Sequence, residues 1–230
     1  KGFKEYKSTL AGLAYDFKIN DNLNNSTSVF INYKDSNEPR PFDILRQYTF
    51  ATGVRTQFSG NFKINKTENQ FIAGIEYFTD NYNGNTFENL YKQNNGQGSL
   101  QGNQLTETDQ KRHFYNIFLQ LRTLLSDQFE IQAGLNYNET HFELTNFLPN
   151  KASTEKYSYD GIFSPQLSFL FKPNQEQTLY FSASRGFSMP ATEETLTSSG
   201  NINTDIKPEN GYNFELGGKF YFFNKNLYTE

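Results

Sequence analysis

Residues Gln47-Tyr48-Thr49-Phe50-Ala51-Thr52-Gly53-Val54-Arg55-Thr56-Gln57-Phe58 alternate without interruption. Tyr48, Phe50, Thr52, Val54, Thr56 and Phe58 fall on one face, and Gln47, Thr49, Ala51, Gly53, Arg55 and Gln57 on the other. A period of two is the geometry of a strand, whose successive side chains point to opposite sides. One face is greasy and the other wet, so the strand separates two different environments.

The same rhythm runs outward in both directions. Phe129, Ile131, Ala133, Leu135 and Tyr137 alternate with Glu130, Gln132, Gly134, Asn136 and Asn138. Thr9 to Ile19, Phe71 to Tyr77, Leu179 to Ala183 and Tyr212 to Phe222 repeat the pattern. Helical spacing competes only at Phe114 to Leu125, through Ile117, Leu121 and Leu124; Tyr115, Ile117, Leu119 and Leu121 fit one side of a strand better. The spacing predicts strands over 4–19, 24–35, 46–63, 69–80, 112–125, 128–146, 158–172, 177–188 and 209–223, with a stub from 227. Several exceed the 5–6 residues typical of globular sheets.

Short turns are expected at Asn20–Leu23, Ile64–Glu68, Ser126-Asp127, Pro173–Glu176 and Asn224–Asn226. Long links are expected at Ser36–Leu45, Asn81–Lys111, Phe147–Tyr157 and Met189–Pro208. Strictly alternating short and long connections are the topology of an outer-membrane barrel, with periplasmic turns on one rim and extracellular loops on the other. The fold class is therefore all-β, an antiparallel transmembrane β-barrel section of nine to ten strands.

Composition agrees. The 230 residues include 24 Phe and 15 Tyr, yet only 35% are hydrophobic and the mean hydropathy is −0.75. Disordered chains are poor in aromatics, and no apolar run reaches the ~18 to 20 residues of a membrane-spanning helix. Aromatic pairs at strand ends, Tyr77-Phe78, Tyr157 with Tyr159, and Tyr221-Phe222-Phe223, fit the interfacial girdles of such a barrel. A net charge of −4 offers no basic excess for nucleic acid. The absence of cysteine removes disulfides and thiolate chemistry. Lys1 to Tyr6 contain neither a signal peptide nor an initiating Met, so the chain reads as a piece of something longer.

One stretch carries a resemblance. Tyr180-Phe-Ser-Ala-Ser-Arg-Gly-Phe-Ser-Met-Pro-Ala-Thr-Glu-Glu194 is similar to a strand motif of TonB-dependent outer-membrane receptors, at Ser184, Gly186, Phe187, Pro190 and Glu193 or Glu194. Asn203-Thr-Asp-Ile-Lys-Pro-Glu209, followed by Glu215, Gly217 and Lys219, resembles that family's next strand, with Thr204 and Ile206 in place of its usual Pro and Leu. Lys207, Pro208 and Glu209 carry the match into the strand. The motifs span residues 180 to 219; residues 1 to 179 match in strand rhythm alone.

The resemblance implies a section of a barrel of about 22 strands, sited in the bacterial outer membrane and surrounded by its lipid. It implies a plug domain in the lumen, uptake of a scarce solute, foremost a ferric siderophore, and energy from TonB. No plug, TonB box or final strands are recognisable, so residues 1–230 are expected to be partial barrel domain only. Cobalamin or oligosaccharide uptake stays open.

Strict alternation from Leu179 turns Tyr180, Ser182 and Ser184 to the lumen, with Asn213, Glu215 and Lys219 beside them. They serve lumen solvation and cross-strand pairing, or contact with the plug. Ligand capture from the long loops and upper lumen has Arg40, Arg46, Tyr82, Tyr91, His113, His141 and Arg185 as candidates. Arg pairs with anionic chelates and Tyr stacks on flat catechol or sugar faces.

Catalysis finds no support, and no cofactor or resident metal is called for. No Gly-x-Ser-x-Gly elbow occurs. Gly96-Gln-Gly-Ser-Leu-Gln-Gly102 places its third Gly one position late for a phosphate loop, and residues 93–104, rich in Gln, Asn and Gly, read as a mobile loop. Asn201 to Asp205 begins like a calcium loop but lacks its Gly and Glu. Two other readings stay open: a complete small outer-membrane barrel, structural or enzymatic, and a soluble β-rich carbohydrate-binding module. The position of Tyr48, Phe50, Val54 and Phe58, outside a curved sheet or inside a sandwich, separates them.

Overall fold

The computed structural model describes residues 3–149, 152–190, 194–197, 201–223 and 226–230. Every regular element among them is a strand: β1 (Glu5–Asn20), β2 (Leu23–Pro39), β3 (Asp43–Ile64), β4 (Thr67–Asn89), β5 (Gln101–Leu124), β6 (Phe129–Leu148), β7 (Ser153–Asn174), β8 (Gln177–Ser188), β9 (Glu209–Phe222) and β10 (Leu227–Thr229). They form one antiparallel sheet in chain order, and β1 and β10 are its open edges. A closed small barrel would have paired those two strands; the sheet is instead an arc.

Register joins the apolar faces into continuous rungs. Val29, Val54, Tyr77 and Tyr115 are successive partners, as are Ile75, Ile117, Tyr137 and Phe163. Lower down, Ile131, Phe169, Phe181 and Leu216 make another rung. Val29, Ile75, Tyr115, Ile117, Phe163, Phe169, Phe181 and Leu216 in these rungs are exposed, and so are Tyr48 at 43%, Val54 at 40% and Phe58 at 42%. Residues of the opposite face, such as Ser36, Asp80 and Thr140, are buried. Curvature crowds side chains on the concave side and spreads them on the convex side, so the apolar face is the outside of the arc. A sandwich, which would bury Tyr48, Val54 and Phe58, is excluded.

One rim carries tight turns. Asp21-Asn22 joins β1 to β2, and Asn65-Lys66 joins β3 to β4 with Asn65 at φ 54°, the left-handed conformation that two-residue hairpins require. The opposite rim corrects the expected link lengths. Ser36–Leu45, Asn81–Lys111 and Phe147–Tyr157 are mostly strand, leaving connections of only 40–42, 90–100 and 149–152. β3, β4 and β5 reach 22, 23 and 24 residues, against the ~9–11 that cross a bilayer. Their upper halves are therefore wet on both faces and show no apolar alternation. Cross-strand polar pairs accompany the ladder there: Asn83 Nδ2 donates to Asp109 Oδ1 at 2.7 Å, and the Thr86 and Thr106 hydroxyls meet at 2.6 Å.

A bulge on β7 changes the phase. Asn138 pairs with Ile162, but Thr140 pairs with Tyr159, so two steps on β6 match three on β7. Below the bulge Phe163, Leu167 and Phe169 face outward; above it Tyr157 and Tyr159 face inward. Tyr157 and Tyr159 accordingly do not belong to the girdle, and Tyr159 is only 5% exposed. Phe78 also turns inward and stacks on Phe114 with centroids 4.2 Å apart. Tyr77 and Phe222 point outward, whereas Tyr221 sits on the opposite face from Phe222 and packs on Tyr228 at 5.1 Å.

Candidate functional site: the lumen wall and its rim

The concave face is built from cross-strand pairs. Arg55 on β3 bonds Glu76 on β4. Arg112 on β5 grips Asp80 on β4 with both arms, at 3.0 and 2.6 Å, and its guanidinium lies over the Phe114 ring. Arg122 bonds both oxygens of Glu130 and also reaches Gln70. Arg55 and Arg112 face their partners directly across the ladder and Arg122 reaches Glu130 diagonally, which neutralises the wall locally and keeps it water-compatible.

Aromatic rings on this face lie flat against glycines. A Cβ on Gly53 would come within 2.4 Å of the Phe30 ring and 2.6 Å of Phe78. The row Phe30, Gly53, Phe78, Phe114, Thr140 and Tyr159 thus crosses six strands just below the Asp80–Arg112 pair. At the β8–β9 end, Tyr180 covers Gly217, where a Cβ would meet its ring at 2.4 Å, and its hydroxyl donates to Glu215 at 3.1 Å. The glycine of the Glu215-x-Gly217-x-Lys219 stretch is therefore a seat for a tyrosine on the neighbouring strand.

Ser182 and Ser184 share this face with Tyr180, paired to Glu215 and Asn213. Lys219 pairs with Thr178 and forms an ion pair with Glu230 at 3.0 Å. Gly186 and Gly211 face each other with no side chain on either strand, and Phe187 pairs with Asn210. β8 ends at Ser188, two residues before Pro190, and Lys207-Pro208 immediately precede Glu209, the first residue of β9. Glu193 lies outside the described residues.

The β8–β9 connection turns inward. Ile202 and Leu196 pack on Phe142, Leu144 and Tyr157, on the concave face of β6 and β7. Ile202 N–H donates to Glu155 Oε2 at 2.9 Å, and Leu196 bridges Ile202. Sequence reasoning missed this cluster, although a signal was present: apolar residues of β6 sit at odd positions through Tyr137, then at even ones in Phe142 and Leu144.

The seven ligand-capture candidates divide. Arg40 and Tyr91 line one groove of about 310 Å³ at the rim, together with Pro39, Asn89 and Ser99. Arg40 makes a bidentate pair with Asp43, at 2.6 and 2.7 Å, which fixes the β2–β3 connection. Tyr82 is on the concave face, and its hydroxyl accepts from Gln47 Nε2 at 3.0 Å. The other four face away from the lumen. His113 and His141 are direct partners on the convex face, on the strands of outward-facing Tyr115 and Tyr137. His113 Nδ1 and the Tyr77 hydroxyl are 2.7 Å apart, and His141 Nδ1 and Ser158 Oγ are 2.7 Å apart. Arg46 shares the parity of Tyr48 and lies over Phe87. Arg185 shares the parity of Phe181 and Ala183; it donates to the Phe163 carbonyl at 3.2 Å, beyond Gln166–Ser184 where β7–β8 pairing stops, and to Asn210 at 2.8 Å. Alternation decides all four, because loop-end position alone does not say which side a side chain takes.

An open arc of long antiparallel strands, apolar outside and polar inside, is a section of an outer-membrane-type β-barrel. The family described as "TonB dependent receptor-like, beta-barrel" matches residues 2–229, and the chain belongs to it. It is a family of transport receptors. Solved structures share the fold at low identity. The ferric citrate transporter FecA in its unliganded form superposes with a TM-score of 0.79 and 16% identity, covering 94% of this chain and 32% of that one. The siderophore receptor PiuA from Acinetobacter baumannii gives 0.74 and 15%, covering 99% and 39%. The alcaligin outer-membrane receptor FauA from Bordetella pertussis gives 0.73 and 14%, covering 99% and 36%. The chain thus spans about a third of the length of these structures. No curated protein matches it.

Proposed function

We propose that this chain is a section of the barrel wall of an outer-membrane receptor that imports ferric siderophores, driven by TonB through a plug held in the lumen. The observation that carries this reading is the division of the faces: an exposed apolar convex belt suits lipid, while the concave wall holds its charges in pairs and its aromatics flat, leaving room for an occupant. That FecA is a ferric citrate transporter and PiuA a siderophore receptor favours a ferric chelate over cobalamin or an oligosaccharide. Within the reading, Arg40, Tyr91 and Tyr82 contribute to capture at the rim and upper lumen. Tyr180, Ser182, Ser184, Asn213, Glu215 and Lys219 form the lower wall against the plug. Arg46, His113, His141 and Arg185 are left out, because they face the convex side.

The test is uptake of radioactive iron, supplied as ferric siderophores, by cells lacking the full-length receptor gene. Uptake of at least one chelate should fall to background, return on complementation, and fall again without TonB. Unchanged iron uptake together with loss of cobalamin or oligosaccharide uptake overturns the ferric assignment.

A further inference from the structure

We propose that Ser158, His141 and Glu139, on the convex face where the apolar belt ends, form a hydrolytic site for long-chain acyl esters. Ser158 and His141 are direct partners across β6 and β7, and Ser158 Oγ lies 2.7 Å from His141 Nδ1. The other imidazole nitrogen, Nε2, lies 3.3 Å from Glu139 Oε1. Glu139 is held in turn, its Oε2 accepting from the Tyr137 hydroxyl at 3.1 Å. The Tyr115 ring meets the imidazole edge-on at 5.6 Å and seats it from below. A nucleophile, a base and an orienting carboxylate in contact in that order are the geometry of an activated serine. The inference goes beyond solute import and does not depend on which solute is carried.

The β7 bulge makes the site. Below it, Ser164, Gln166 and Ser168 face the lumen; the inserted residue reverses the phase, so Ser158 faces outward onto His141. Ser158 is exposed. Pairing of β7 with β8 stops at Gln166–Ser184, so among the described residues alternate backbone N–H groups of β7 beside Ser158 lie open on that side. They supply the donors for an oxyanion. Two rungs below the serine are Ile75, Ile117, Tyr137 and Phe163, with Ile75, Ile117 and Phe163 exposed. Tyr137 is four residues from His141 on β6, about 13 Å along a strand. Only a long acyl chain spans that distance with its ester carbonyl at Ser158.

The reaction is acyl transfer to water. Ser158 Oγ attacks the ester carbonyl carbon while His141 takes its proton; the bond from that carbon to the alkoxy oxygen breaks, and the alcohol leaves with the proton. Water then attacks the acyl-serine, His141 takes its proton and returns it to Ser158 Oγ, and the carboxylic acid departs. Ester and water give acid and alcohol, with no change of oxidation state. Glu139 is a positioning residue, which orients the ring and stabilises the imidazolium.

The full-length receptor in detergent micelles, its folding checked by heat-dependent electrophoretic mobility, is assayed with p-nitrophenyl laurate, p-nitrophenyl butyrate and phosphatidylglycerol. Turnover of the laurate should exceed the micelle blank by at least about a hundredfold, and that of the butyrate by on the order of tenfold. A fluorophosphonate should label Ser158, as located by mass spectrometry. Ser158→Ala and His141→Ala should return turnover to the blank, while Tyr77→Phe, beside the neighbouring His113, leaves it unchanged. Glu139→Gln should slow turnover by on the order of tenfold and move the acid limb of its pH profile downward, because an imidazolium without its carboxylate gives up its proton at lower pH. The surrounding groups His113, Lys111, Glu143, Lys156 and Tyr115 are the same in both proteins, and a merely structural role would not move that limb. If Ser158→Ala does not fold, fluorophosphonate labelling decides. Turnover no higher than the blank, turnover that survives Ser158→Ala, or a label elsewhere overturns the site; equal rates on laurate and butyrate overturn the long-chain assignment. Fatty acid released from phosphatidylglycerol as well places the substrate in the membrane, and turnover of the laurate alone makes it a free amphiphile; both uphold the site.

Discussion

The convex and concave faces of this sheet draw on the same residue types and arrange them in opposite ways. On the convex face, aromatic and aliphatic side chains such as Tyr115, Ile117, Leu119 and Phe163 stand exposed, each more than 40% accessible. On the concave face, Phe30, Phe78 and Tyr180 lie down over Gly53 and Gly217. Charges differ likewise: the concave wall pairs Arg55, Arg112 and Arg122 with Glu76, Asp80 and Glu130 on neighbouring strands. The lesson is that the solvent on each side, rather than residue hydrophobicity, sets the packing rule. Lipid accepts a protruding ring, while a narrow wet lumen needs a flat wall and local neutrality.

The sharpest way to break this comparison is to put one charge on each face. Leu119→Arg, on the convex belt, should destabilise the folded receptor by about 2–4 kcal/mol near the bilayer midplane, whereas Gln120→Arg next to it should cost little. Denaturant unfolding in lipid vesicles measures both, and equal effects would remove the distinction between the faces. Next in size is the concave ion pair. Asp80→Ala strands a guanidinium that is mostly covered, and should cost about 2 kcal/mol. The double variant Asp80→Ala with Arg112→Met should recover part of that loss, as a double-mutant cycle would read.

The glycine seat comes third. Gly217→Ala should cost about 1 kcal/mol by forcing the Tyr180 ring off the wall. Adding Tyr180→Ala should relieve the clash, so that the double variant is less affected than Gly217→Ala would suggest. The smallest effect is expected from Tyr180→Phe, which removes only an exposed hydrogen bond to Glu215 and should change stability by less than about 0.5 kcal/mol. A large loss there would mean that the hydroxyl engages something beyond the strand pair, and an uptake assay would then identify a functional role.

Legibility in the sequence followed the membrane. Where a strand has lipid on one side and water on the other, alternation was strong, and the core of each strand and its facing could be read directly. Above the membrane both faces are wet, so stretches such as Asn81–Asn89 and Gln101–Lys111 look like loop composition although they form a paired ladder. The facing of the rim candidates was hidden for a related reason: His113, His141, Arg46 and Arg185 carry suitable chemistry near a strand end, but each holds the parity of the convex face.

The sequence by itself determined the kind of wall this is: a period of two with one apolar face, repeated with turns between, admits a two-sided sheet and little else. It also determined that Tyr180 and Glu215 share a face, because unbroken alternation connects each to its apolar neighbours. Tertiary structure alone decided the exceptions. The β7 bulge inserts one residue, reverses the phase and carries Tyr157 and Tyr159 inside; the β8–β9 connection then covers Phe142 and Leu144. A single extra residue costs the sequence pattern almost nothing, yet it moves every side chain beyond it to the other face.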